Sequence, residues 1–393
     1  MVVRSATTRW RSRRGRAPRV VMRATGPDAP VRTGGHPRAR PRSSSSTRRR
    51  RAGAGDPRGV FAHAGRRVRG AALALGLLAA GRGVEAAPPF HWPVACTHGE
   101  DCWIVRHVDR DLGPGVLDVG CGTLTGDGHR GTDIALADLS GLARGVAVLA
   151  PAAGTVVGAR DGMPDIATDA AAAPALDGRD CGNGVRLEHD DGWTSQLCHL
   201  RRGSITVRSG DEVAAGEVLG RVGLSGATTF PHVHVGFTRD GRLVDAMDGA
   251  RVEAGAACGE LDPLFSNEPA YLPLPLVGAG VAARAPEDAD LLRGWHRERR
   301  LPTHAPALVV WMQGYGTRAG DVLSFDLEAA DGTRVVDERI TLDDGHARGT
   351  YFAGTRRPAA GWPAGRYVGR VEWRRDGRDA VRRFELEITP ARR

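Results

Sequence analysis

The stretch Phe230-Pro231-His232-Val233-His234-Val235-Gly236 places two histidines two residues apart among β-branched neighbours. In a strand, residues i and i+2 share a face, so both imidazoles enter one space. An isolated His-x-His also fits a surface strand with two ordinary histidines, so its partners decide. Two further segments offer them. His129-Arg130-Gly131-Thr132-Asp133 sets a histidine and an aspartate four apart, and Cys198-His199-Leu200 closes an apolar run. A catalytic zinc takes three protein ligands and keeps a fourth position open for water. Neutral imidazole and carboxylate donors suit that ion. His129, Asp133 and His234 make such a set. His199 and His232 would then take a proton from the water and stabilise a developing oxyanion.

The elements that must position these residues read as short strands. Val146–Ala150, Gly154–Gly158, Gly184–Glu188, Trp193–Leu200, Glu212–Val222 and Val233–Thr238 are short, apolar and punctuated by glycine. Strands at that spacing predict an antiparallel sheet or open barrel and exclude a parallel sheet with crossover helices. Asp190-Asp191-Gly192 reads as the turn of a hairpin joining the strands that begin at Gly184 and Trp193. Ser209–Gly220 reads as a second, tight hairpin. The segment Ala159–Asp180 is too long for a simple turn and would be either a groove wall or a surface insertion.

The three motifs, in this order, resemble the lysostaphin-type (LytM-type) zinc metallopeptidases that cut peptidoglycan peptides. The run Gly-x-Val-Leu-Gly-x-Val-Gly-x-Ser-Gly that leads into Pro-His-x-His resembles that family as well. The resemblance covers roughly Asp118 to Pro263. It implies one zinc ion held by His129, Asp133 and His234, with His199 and His232 catalytic. It also implies a small antiparallel β-sheet of the duplicated hybrid-motif kind, with the site in a groove between loops. The sequence departs from the family before the central histidine, where Leu197 and Cys198 replace the usual aromatic and small residue.

Charge is divided unevenly along the chain. Residues 1–70 hold 20 arginines against Asp28 and Asp56, whereas residues 71–393 hold 35 arginines against 44 acids. The net charge beyond residue 70 is therefore −9, which argues against a nucleic-acid partner for that part. The Arg-rich segment 1–65 has too little apolar content to offset the entropy of ordering. It reads as a disordered extension or a start assigned too far upstream. Residues 66–87 read as a secretory signal peptide: arginines at Arg66, Arg67 and Arg69, an apolar run from Gly70 to Ala80, and Val84-Glu85-Ala86-Ala87. That run is too short to span a bilayer comfortably, so no transmembrane anchor is expected after cleavage. The expected location is the periplasm or the exterior.

All six cysteines lie beyond that segment, and their even number in an exported chain favours disulfides. The hairpin would bring Cys181 to Cys198. Cys96 and Cys102 could close a local loop, which would leave Cys121 for Cys258.

The domain organisation expected is a metallopeptidase domain over 88–267, a linker over 268–277, within which Leu272–Leu276 could instead be an edge segment docking on the first domain, and a β-sandwich accessory domain over 278–393. In the last, strands are expected at Ala307–Met312, Val322–Leu327, Arg334–Val336, Arg366–Trp373 and Val381–Ile388, with turns at Asp331-Gly332 and Asp376-Gly377. No acid pair or nucleophile stands out there, so it reads as a wall- or partner-binding module, with a purely structural role as the alternative. Other histidines are discounted: His189 as a solvated hairpin residue, His91, His98 and His107 for want of paired spacing, and His296, His304 and His346 because they lie beyond the catalytic region. Arg130 reads as solvated, with contact to a substrate carboxylate as the alternative. The function expected is an exported zinc metalloendopeptidase acting on peptidoglycan stem peptides or cross-links. The alternatives are a non-catalytic envelope protein that regulates cell-wall hydrolases, and a zinc protease of ordinary proteins.

Overall fold

The structure is a computed structural model. It describes residues 90–390 except 169–175, 177, 253–256, 260, 268 and 297, together with the backbone of 10–11 and 19–24. The expected signal peptide, 66–87, lies outside the described residues. Among them, no helix is long and apolar enough to cross a membrane.

The fold is mainly β. An eight-stranded antiparallel sheet runs in the order Cys102–Arg106, Thr132–Leu136, His232–Arg239, Trp193–Leu200, Asn183–Glu188, Gly154–Arg160 and Glu212–Val213. The eighth strand, Arg242–Val244, pairs with the end of His232–Arg239. Strict alternation makes the sheet two-faced. Val185, Leu187, Leu197, Val233, Val235 and Phe237 are buried on one face, where Phe237 meets Phe90 at 4.7 Å. His234, Gly236 and Thr238 stand on the other face.

The turn Asp190–Gly192 joins Asn183–Glu188 to Trp193–Leu200, as the sequence suggests. The second expected hairpin does not form. Glu212–Val213 pairs with Gly154–Arg160, and Val218–Arg221 pairs with Ala147–Leu149. The turn between them docks elsewhere instead: Gly216 N donates to Ala150 O and Ala150 N donates to Glu217 O, both at 2.8 Å. Each arm therefore finds its neighbour outside the pair.

Beyond residue 272 the chain forms two five-stranded sheets. One takes Leu276–Ala282, Ala307–Tyr315 and Arg348–Arg356 from this part and is completed by two backbone stretches from the N-terminal part, Arg19–Ala24 beside Arg348–Arg356 and Trp10–Arg11 beside Arg19–Ala24. That pairing lies in the Arg-rich extension, where no order was expected. The other contains Arg300–Pro302, Arg378–Thr389, Gly365–Arg375, Val322–Glu328 and Arg334–Thr341. Met312, Phe325, Tyr351, Val371, Trp373 and Leu386 fill the space between them. Leu274 and Leu276, expected in a linker, belong to that core. Arg348–Arg356 and Cys102–Arg106 carry no clear sequence signal. Gly349 and Gly354 interrupt the first, and a register shift between Ile104 and Arg106 interrupts the second.

The sandwich packs directly against the first sheet, and Pro88–Arg393 lie in one compact unit. Trp103, Val105, Leu124, Ala135 and Phe230 share one buried cluster with Val277 and Tyr315. Tyr271 Oη donates to the Asp118 carboxylate at 3.1 Å. Arg382 donates to Gly99 O at 2.8 Å and lies over the Trp103 ring. Three disulfides, Cys96–Cys102, Cys121–Cys258 and Cys181–Cys198, tie the 88–267 region to itself with the pairing expected.

Because Tyr315 fills that shared cluster, Tyr315→Ala is expected to cost about 3 kcal/mol of stability, read as a lower urea midpoint in one cooperative transition. Two separate transitions, with only one shifted, would contradict a common core.

Candidate metal centre and active site

Strand register sets three of the five histidine and aspartate side chains. Asp133 on Thr132–Leu136 lies directly opposite His234 on His232–Arg239, and His234 lies opposite Cys198. Opposed residues share a face with Cβ atoms about 5 Å apart. His232, two positions before His234, therefore enters the same space, as its spacing predicts.

His129 comes from the preceding loop and is fixed by backbone groups. Its carbonyl accepts Asp109 N at 2.8 Å, and the Asp109 carboxylate accepts Gly128 N at 2.8 Å. The ring Nδ1 donates to His107 O at 2.8 Å. That bond directs Nε2 at Asp133 Oδ1 and His234 Nδ1, each 3.1 Å away, where it donates to the carboxylate when protonated and offers its lone pair to a metal when neutral. Gly131 is the residue that permits the approach: a Cβ there would lie 2.6 Å from His234 Nε2 and 2.7 Å from Val235 O.

His199 departs from simple alternation. It follows Cys198, whose side chain is on the His234 face, so an undistorted strand would point His199 away. Its φ of +64° turns it back. A register shift between Asn183 and Val185 on the neighbouring strand accompanies the change. The ring then lies 4.6 Å from His232 and 6.3 Å from His234, centroid to centroid. His199 Nδ1 donates to Ser225 O at 2.8 Å. His232 Nδ1 donates to Phe230 O, with Thr228 Oγ1 also 3.0 Å away. Both rings therefore carry the Nδ1 proton and keep an Nε2 lone pair. Phe230 stacks on His232 at 4.4 Å and 24°, and Tyr315 backs Phe230 at 5.3 Å.

His129 Nε2, Asp133 Oδ1 and His234 Nδ1 thus form a triangle with sides of 2.8–3.1 Å. A tetrahedral zinc with bonds of about 2.0–2.1 Å spaces its ligand atoms about 3.3 Å apart. Three lone-pair atoms converging at nearly that spacing fit a small dication, and these residues could hold a metal.

Residues 127–246 match the family model of peptidase family M23. This segment is an M23 peptidase domain. Solved structures similar to the chain include the catalytic domain of lysostaphin from Staphylococcus simulans, at 23% identity over 36% of this chain and 86% of that one, with a TM-score of 0.25. A zinc-containing peptidase from Vibrio cholerae shares 24% identity over 39% of this chain and 41% of that one, with a TM-score of 0.25. A chain of the SpoIIIAH–SpoIIQ complex shares 21% identity over 40% of this chain and 96% of that one, with a TM-score of 0.29. A likeness at TM-scores this low has no bearing on activity.

Electrostatics within the M23 domain follow from burial and charge. Burial opposes ionisation of Asp133, but the imidazoles of His129 and His232 and hydrogen bonds from His129 and His234 outweigh it, holding the carboxyl well below its usual range. Burial likewise lowers His129, and Asp133 more than offsets it, so His129 is raised. Burial pushes His199 down to about 3, with His232 and His234 adding to the effect. Burial also lowers His232, against the pull of Asp133. Both rings are therefore neutral bases near pH 7.

Other expectations fare differently. His189 is not solvated: it is buried, with Nδ1 2.8 Å from Ala153 O and Nε2 2.8 Å from Ser195 Oγ. The described part of Ala159–Asp180 is pinned, since Asp165 accepts Arg202 N and Leu224 N, and Thr168 N donates to Thr228 O. His107, discounted from its spacing, supplies the carbonyl that sets the His129 tautomer. No sequence signal marks that role or that of Thr228, and although Ser225 lies in the glycine-rich run before Pro-His-x-His, nothing there shows that its carbonyl accepts from His199.

Burial holds three rings neutral to low pH: His98 and His107 to about 4, and His199 to about 3. In the unfolded chain they protonate near pH 6.5. Between these values the unfolded state binds more protons, so stability falls on acidification from about pH 6.5 toward 4. Asp133 contributes above the usual carboxyl range and is lost only at still lower pH. Thermal midpoints measured across this window are expected to fall steadily with acid, and a flat profile would contradict neutral burial of these rings.

Proposed function

We propose that the chain is an exported zinc metalloendopeptidase that hydrolyses peptide bonds in peptidoglycan. The observation that carries the reading is the convergence of His129, Asp133 and His234 beside two imidazoles with free Nε2 atoms. A zinc ion held there would supply Lewis acidity and make a water at its open position easier to deprotonate.

The chain's own residues supply the rest. His199 and His232 are neutral, present Nε2 to the same space and are fixed by Nδ1 bonds to Ser225 O and Phe230 O. Either can accept the proton of an attacking water and return it to the leaving amine. As imidazolium, either would stabilise the negative charge that develops on the carbonyl oxygen. Asp133 stays ionised, which favours holding a dication and stabilises a protonated His232 3.6 Å away. The groove containing His199 and His234 has a volume of about 490 Å³ and opens on the strand face, which suits an extended peptide. Export is supported by the three disulfides and by the signal-like segment 66–87. Peptidoglycan as substrate rests on the family resemblance, and the sandwich is read as a module for a wall or envelope partner.

The test uses isolated sacculi and purified protein. Soluble peptides should appear with the wild type and disappear with chelator or with His234→Ala, which should also lose one bound zinc. His199→Ala and His232→Ala should keep the zinc yet lose about 10²–10⁴-fold in rate. Sacculi left unchanged at full zinc occupancy would favour the non-catalytic regulator, and cleavage of ordinary proteins alone would favour the general protease.

A further inference from the structure

The face of the sheet that carries the site continues beyond it in rows set by register. The metal row crosses Cys198, His234 and Asp133. The next row crosses Arg186, Gln196 and Gly236. Two residues along an antiparallel strand is about 7 Å, so this second row lies about 7 Å from the first. Gly236 has no side chain, and a Cβ there would be 3.2 Å from the Arg130 carbonyl oxygen. The row is therefore a trough, with Arg186 and Gln196 on one side and the Arg130 segment on the other. Arg130, Arg186, Gln196 and Gly236 line the same groove as His199 and His234.

Neither guanidinium is used by the fold. Among the described residues, no hydrogen bond or ion pair involves the side chain of Arg130 or Arg186. Arg186 faces Gly158 on one neighbouring strand and Gln196 on the other, so no carboxylate opposes it directly. By contrast, Arg160, on the strand beside it, is tied to Gly182 O at 2.7 Å. Asp180 is the one acid lining the groove, and Glu188 lies two residues beyond Arg186 on the same face. The groove lining itself thus carries two guanidiniums against one carboxylate and offers donor forks for a planar anion.

We propose that Arg186 and Arg130 form a carboxylate-selecting subsite, so that the protein prefers peptides bearing an ionised carboxylate within about two residues of the bond held at the metal row. This deepens the peptidase reading and rests on it for the cleavage result, whereas the binding preference stands without it.

The test pairs soluble peptides released from sacculi with the same peptides after their carboxylates have been converted to carboxamides. Binding to the zinc-loaded protein and kcat/KM are both measured. Wild type should favour the carboxylate form by about tenfold or more in Kd, as a charge-assisted pair supplies. Arg186→Gln should erase most of that preference through KM and Kd while leaving the carboxamide values and kcat unchanged, and Arg186→Lys should restore part of it. Arg130→Gln should give a smaller loss in the same direction. A binding preference with no cleavage supports the subsite and sinks the peptidase reading. Cleavage with equal affinity for both forms, or a preference that survives Arg186→Gln and Arg130→Gln, overturns the subsite and leaves the peptidase reading intact.

Discussion

One buried carboxylate organises this structure. Asp133 lies on the strand next to the sheet's edge, with almost no access to water, and the imidazoles of His129, His232 and His234 approach it. Ionised Asp133 alone in that setting would be costly; beside His129, His232 and His234 it is stabilised. The same carboxylate, with two lone pairs aimed at it, makes a site that gains from a small dication. Most of the surrounding detail serves that arrangement: Gly131 lets the His129 loop approach, His107 O fixes which nitrogen of His129 faces inward, and the φ of His199 turns its ring to the same side.

The sandwich is part of that arrangement and not a separate attachment. Tyr315 backs Phe230, Phe230 stacks on His232, and Tyr271 holds the Asp118 turn that precedes the His129 loop. A mutation in the sandwich core can therefore reach the candidate catalytic rings through packing alone. The expectation of an accessory domain beyond a linker at 268–277 rested on strand-like runs, and such runs say nothing about which face a neighbouring sheet covers.

What the sequence reveals depends on the range of each physical signal. His232 and His234 were legible because strand alternation is local. The hairpin at Asp190–Gly192, and with it Cys181–Cys198, was legible because turn chemistry is local too. The mispaired hairpin at Glu212 and Val218 shows the limit: both strands exist, but their partners are set by contacts far back along the chain, at Gly154 and Ala147. The tautomer bonds of His129, His199 and His232 were invisible for a similar reason, since carbonyls of any residue can make them. Arg186 and Gln196 became meaningful only once register placed them in one row with Gly236.

The central claim is that His129, Asp133 and His234 together hold one zinc ion. Anomalous diffraction at the zinc edge from crystals of the zinc-loaded protein tests it most directly. The account predicts a single strong peak bonded to His129 Nε2, Asp133 Oδ1 and His234 Nδ1, with His199 and His232 outside bonding distance. A peak bonded to His199 or His232, or no peak at this triangle in protein saturated with zinc, would contradict it.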